Sequence, residues 1–176
     1  ESRNNNSMNQ AQITVQAEGL LKESGYRFGE DSYVNIMDFI HRFDFVAGNA
    51  CLEDNADGFL AVYIGNKVIG ANVNLTLAQK RLIIAHEFAY FVLYANCKET
   101  YLHWNKRSVV NRKEKLAGFF ARELLMPREL FLRLYRQLQE KDLNETMVCL
   151  QLASAFKVPS DSVLDRIREV CGVSYI

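Results

Sequence analysis

From Leu82 to Ala95 every residue is apolar or aromatic except His86 and Glu87. A helix that is apolar all round is enclosed by protein, and an ionisable pair inside it is costly unless other groups meet it. The remaining chain must therefore wrap this segment and bring partners to the pair. The helix opens upstream at Thr76-Leu77-Ala78-Gln79. There the Thr and Gln side chains can each bond the other's backbone N–H, a capping box.

Two short helices are expected before it, over 9–24 and 32–43. The second takes Asp31-Ser32 as its cap and carries Tyr33, Ile36, Met37 and Ile40 on one face. Phe59 to Ile64 and Lys67 to Ala71 flank Gly65-Asn66 and read as a β-hairpin, with Phe43 to Val46 a further strand. After the central helix come one from about Asn111 to Leu125 and one with Pro127 in its first turn, carrying Leu130, Phe131, Leu134 and Leu138. Glu145–Phe156, a break at Lys157-Val158-Pro159 and a helix from Ser160 to about Val170 complete the chain. The expected class is α+β: N-terminal helices, a small mostly antiparallel sheet, the central helix, then C-terminal helices. Residues 9–139 read as one domain and 140–176 as a helix-turn-helix-like tail packed on it. The polar, Asn-rich 1–8 reads as a disordered or expression-derived start.

The 176 residues are 49% apolar and 11% aromatic, which allows a real core and excludes disordered and collagen-like classes. Lys+Arg and Asp+Glu balance at 21 each, which excludes holding nucleic acid by bulk charge. The balance is uneven along the chain. Residues 1–65 hold 4 bases and 10 acids, 105–136 hold 9 and 3, and 137–176 hold 4 and 6. Lys106, Arg107, Arg112, Lys113 and Lys115 are either ordinary solvated charge or a rim that steers an acidic partner segment. Cys51, Cys97, Cys149 and Cys171 form no CxxC pair and read as buried thiols of a reducing compartment. No stretch is long and apolar enough to span a bilayer and no signal segment opens the chain, so a cytoplasmic location is expected.

Ala85-His86-Glu87 begins a His-Glu-x-x-His helix, in which two imidazoles one turn apart bind zinc and the Glu takes a proton from the bound water. A second segment, Glu114-Lys115-Leu116-Ala117-Gly118-Phe119-Phe120-Ala121-Arg122-Glu123-Leu124-Leu125-Met126-Pro127, follows. Together the two resemble the ImmA/IrrE family of metallopeptidases. That family carries an Arg-x-x-x-Ala-His-Glu-x-x-His helix, then Glu-x-x-Ala-Asn/Asp-x-Phe-Ala-x-x-Leu-Leu-Met-Pro. Arg81, Ala85, His86 and Glu87 match the first motif, and Glu114, Ala117, Phe120, Ala121 and Leu124 to Pro127 match the second. Asn72 and Asn74 stand before the helix as in the family. The resemblance covers roughly residues 10–170 and implies a zincin-like fold. It makes His86 a zinc ligand, Glu114 a further ligand and Glu87 the general base for attack of zinc-bound water on a peptide carbonyl. The implied target is a helix-turn-helix repressor of a phage, mobile element or stress operon.

Three positions depart from the pattern. Tyr90 replaces the second His, and a phenol is a poor ligand whose oxygen lies further from the backbone than an imidazole nitrogen. Gly118 replaces the Asn/Asp that orients a ligating imidazole. Tyr94 stands where many relatives have a further His. Zinc is therefore expected to bind weakly or not at all, with catalysis impaired. Cys97 or His103 is the candidate to complete the site. Otherwise His103, beside Trp104 in an expected loop, and His41 are ordinary surface or half-buried histidines. Two other functions stay open. One is a non-enzymatic regulator that binds a repressor or antitoxin-like protein in the same cleft. The other is a DNA-binding regulator acting through the tail, although Asp161 and Asp165 put acid where phosphate contacts want base.

Overall fold

The computed structural model describes residues 9–27, 33–53, 55–96, 98–106 and 111–172. The expected start at 1–8, the Asp31-Ser32 cap, Cys97 and Arg107 lie outside the described residues. In chain order the elements are α1 (Gln10–Glu23), α2 (Ile36–His41), β1 (Phe45–Ala50), β2 (Ala56–Tyr63), β3 (Asn66–Asn72) and α3 (Leu77–Tyr90). A π-helical turn (Phe91–Ala95), β4 (Thr100–Lys106), α4 (Arg112–Leu125), α5 (Arg128–Gln139), α6 (Glu145–Phe156) and α7 (Ser160–Cys171) follow. The class is α+β, as the residue pattern implies.

The strand order is β1-β3-β2-β4. β1 runs parallel to β3, while β2 pairs antiparallel with both β3 and β4. The sheet is thus mostly antiparallel, but two details differ from the sequence reading. The hairpin turns at Ile64-Gly65, whose φ angles are 45° and 80°, the left-handed pair that a two-residue turn between twisted strands requires. Asn66 instead begins β3, its side-chain amide donating to the Tyr63 carbonyl at 3.2 Å. The second difference is β4. Thr100–Lys106, expected as a loop, is an edge strand on β2 whose residues alternate between exposed and half-buried.

The capping box at Thr76 forms as expected, with Gln79 N donating to Thr76 Oγ1 at 3.3 Å and Thr76 N to Gln79 Oε1 at 2.9 Å. From this fixed start α3 lies on β2 and β3. Gly58 permits the approach: a Cβ there would collide with the Ile83 side chain and lie 2.8 Å from the Gly70 carbonyl oxygen. Phe88 anchors the middle of α3 in an aromatic cluster, 5.1 Å from Phe39, 5.5 Å from Phe43 and 5.4 Å from Phe45.

α2 is shorter than expected because the residues that reach the core, Ile36, Phe39 and Ile40, span one turn and a half. Tyr33 precedes it and lies under the charged groups of Lys157 and Arg81, while Met37 is exposed. Pro127 caps α5 from one residue before its first turn. At the other end, α7 is tied to α4 by a buried ion pair. Arg166 donates to both oxygens of Glu123, at 2.9 and 2.7 Å, and to the Met126 carbonyl at 3.1 Å. Thr14 of α1 donates to the same Glu123 at 3.0 Å. The thiols do not all behave alike: Cys149 is buried and Cys171 half-buried, but Cys51 is exposed because it lies just past the end of β1.

Candidate functional site

Three elements deliver the ionisable side chains. α3 carries His86 and Glu87, whose side chains are 12% and 0% exposed. α4 presents Glu114 in its first turn, which Asn111 fixes by accepting hydrogen bonds from Lys113 N at 2.8 Å and Glu114 N at 3.1 Å. β4 turns Tyr101 and His103 towards the helices because successive strand residues face opposite sides. Its register, Leu60 opposite His103, places that imidazole over the middle of β2.

The result is one hydrogen-bonded chain. Glu87 Oε2 lies 2.9 Å from His103 Nδ1, and His103 Nε2 lies 3.0 Å from Glu114 Oε1. Glu114 Oε2 in turn lies 2.9 Å from His86 Nε2. Burial alone would pull His103 down, but the hydrogen bonds and charges of Glu114 and Glu87 outweigh it and raise its pKa to about 9. Burial likewise favours the protonated form of Glu114, yet His103 and His86 hold it down at about 2. At neutral pH His103 is therefore a cation beside the Glu114 carboxylate, hydrogen-bonded also to Glu87. The other Glu87 oxygen, Oε1, is buried and accepts no hydrogen bond from a described residue.

The remaining sequence candidates fall around this chain. Tyr90 is 6% exposed, and its ring stacks on His103 with centroids 3.6 Å apart and planes 15° from parallel. It hydrogen-bonds Tyr101, and burial, aided by Tyr101 and Glu114, pushes its phenol well above the usual range. Tyr94 meets the Tyr90 ring edge-on at 4.8 Å. A Cβ at Gly118 would lie 4.0 Å from His86 Nδ1 and 3.5 Å from Arg122 Nη1, so position 118 faces the far side of the His86 ring and supplies nothing to it. Asn72 is buried and structural, its amide donating to the Ala56 carbonyl at 2.8 Å. Arg81 is structural too, donating to the carbonyls of Val34 and Lys157 at 2.8 and 3.0 Å. His41 is exposed, whereas His103 is neither in a loop nor ordinary.

Do these residues fit zinc? Among the described residues no three His, Cys, Asp or Glu side chains are disposed to hold a metal ion. The His86 and Glu114 atoms that would ligate are bonded to each other. Tyr90 gives its hydroxyl to Tyr101 and keeps its proton more firmly than a free phenol. In this arrangement the donor set does not fit a tetrahedral zinc site.

The profile of the IrrE N-terminal-like domain matches residues 8–168. The chain belongs to that family. The fold is shared with a solved Mycobacterium tuberculosis transcriptional regulator at a TM-score of 0.60 and 21% identity, over 90% of this chain and 46% of that one. The chain thus spans less than half the length of that regulator. No curated protein matches it. Within the IrrE N-terminal-like family, what sequence reasoning missed is the neighbourhood of the motif rather than the motif: the strand β4 and Tyr101, while His103 is named only as a residue that could complete the metal site. The alternation Tyr101, His103, Asn105 against Leu102, Trp104 was the signal that could have found the strand.

A groove of about 690 Å³ lies away from this centre, between α2, β1, the start of α3 and the α6–α7 turn, with Met37, Leu77 and Val158 among its walls. Its walls include Arg81 of the motif but not His86, Glu87, Tyr90 or Glu114.

Proposed function

We propose that the chain is a catalytically impaired ImmA/IrrE-type peptidase domain that acts in transcriptional regulation by engaging a helix-turn-helix repressor of a phage, mobile element or stress operon. The observation that carries this reading is the fate of position 90. The residue where the family's second His would stand is a buried tyrosine stacked on His103 and bonded to Tyr101. Gly118, facing His86 without a side chain, removes the group that would orient that imidazole. Both departures act on one cleft, and both weaken metal binding. The exposed Lys106, Arg112, Lys113 and Lys115 flank the approach to Glu114 and suit an acidic segment of the partner.

The extensive hydrogen bonding of Glu87, His103, Glu114 and His86 favours one extreme of this reading, a regulator that binds its repressor without cutting it. The buried ion pair of Arg166 speaks against DNA binding through the tail. One of the two basic residues of α7 is spent on Glu123, and the other, Arg168, pairs with Asp165 at 2.9 Å. The test is to present the purified chain, with and without added zinc, to a panel of helix-turn-helix repressors. Binding is followed by calorimetry and cleavage by intact mass. Retention of a repressor with slow or no cleavage is expected; rapid zinc-dependent turnover would contradict impairment, and failure to bind any repressor would contradict the partner class.

A further inference from the structure

Glu87 and Glu114 reach the same cleft from two different helices. Two carboxylates brought together out of water must share a donor or a cation. In a zinc peptidase the metal bound by one of them and the metal's water at the other meet that need; in this chain one side chain meets both. His103 offers one ring nitrogen to each, 2.9 Å from Glu87 and 3.0 Å from Glu114. Its ring is fixed in a third direction by the face of Tyr90, 3.6 Å away. Tyr90 is in turn held by Tyr101, two residues from His103 on the same strand. Strand and helix are thus clamped together through Tyr90 and His103.

We infer that His103 takes the place of the metal and its water in this domain: the imidazole, seated between Glu87 and Glu114 on the Tyr90 ring, links helices α3 and α4 to strand β4 and competes with zinc for Glu114. The inference rests on the family reading proposed above and deepens it. Tyr90 is then a platform for His103 as well as a lost ligand. His86 completes the chain by bonding the second Glu114 oxygen, which leaves neither of them free for a metal without breaking a hydrogen bond of the cluster.

The experiment uses the full chain, stripped with chelator and then titrated with zinc. Competition with a chromogenic chelator reads affinity, and the His103 ring resonances read occupancy. Weak uptake is expected, with the His103 signals unmoved by one equivalent of zinc. In the metal-free protein, His103→Gln is expected to lower the melting temperature by roughly 3–6 °C and to raise zinc affinity, because the Glu114 oxygen that His103 holds is released. If that variant does not fold, Tyr90→Leu is measured instead: loss of the platform is expected to lower the melting temperature and to broaden the His103 resonances, and no change in either would overturn the inference. Tight, equimolar zinc that shifts the His103 resonances and is lost in His103→Gln would overturn the inference, for His103 would then be a ligand. A His103→Gln protein of unchanged melting temperature and zinc affinity would also overturn it. Repressor binding by the same preparation is scored separately, so the regulator reading and the His103 reading can fail independently.

Discussion

The ring of Tyr90 lies on the ring of His103, centroids 3.6 Å apart, and joins helix α3 to the edge strand β4. The two residues are distant in sequence and opposite in expected importance, yet each explains the other. A ring at position 90 gives the imidazole a surface, and the imidazole gives Glu87 and Glu114 a common partner.

This relationship separates the ring of Tyr90 from its hydroxyl. Tyr90→Phe keeps the stack and breaks the bond to Tyr101, at a cost of about 1 kcal/mol. Tyr90→Leu loses both, and is expected to cost a further ~0.5–1.5 kcal/mol for the aromatic contact. Urea unfolding of the two variants measures the difference; equal stabilities would mean that the stack contributes nothing.

The cluster also predicts how stability follows pH. His103, raised from 6.5 to about 9, contributes stability that is full below about pH 6.5 and lost as pH rises through about 9. Glu114, lowered from 4.5 to about 2, contributes stability that is present above about pH 4.5 and lost as pH falls through about 2. Both limbs draw on the same contacts and count once, on the order of 2 kcal/mol. Unfolding free energies across pH 5–10 test the alkaline limb. His103→Gln should flatten it, and a wild-type profile without a decline towards pH 9–10 would refute the assignment.

The tail offers an independent test of the fold. Arg166→Ala leaves Glu123 buried without its bidentate partner and is expected to cost about 3–5 kcal/mol. Replacing both residues by apolar ones of similar volume, as in Arg166→Met with Glu123→Leu, should recover most of that. Chemical denaturation decides; a single variant that loses less than about 1 kcal/mol would mean that the pair does not hold α7 to α4.

How much of this could be read from the residues follows from which contacts are local. The starts of α3 and α4 were legible because Thr76 with Gln79, and Asn111, close hydrogen bonds within three residues. The hairpin was legible from Gly65, although the turn sits one residue earlier. β1 and β4 were harder. Phe45–Ala50 finds its parallel partner only across the β2–β3 hairpin, and no local signal announces such a pairing. Thr100–Lys106 mixes Thr, His, Asn and Lys with aromatics, and it is a strand because β2 presents an edge to it. The site divides in the same way. His86, Glu87 and Glu114 carry a motif and could be named. What stands beside them is decided by tertiary register, and so the residues leave His103 open between a residue that completes the site and an ordinary histidine in a loop.

The central claim, that substitution at two positions has turned a metal site into a side-chain cluster, is tested most directly by zinc titration of the wild type against the double variant Tyr90→His, Gly118→Asp. The variant restores a ligand one turn after His86 and a carboxylate facing its Nδ1. The account predicts weak zinc binding by the wild type and an affinity raised by at least ~10–100-fold in the variant. Tight, equimolar zinc in the wild type, or no gain in the variant, would contradict it.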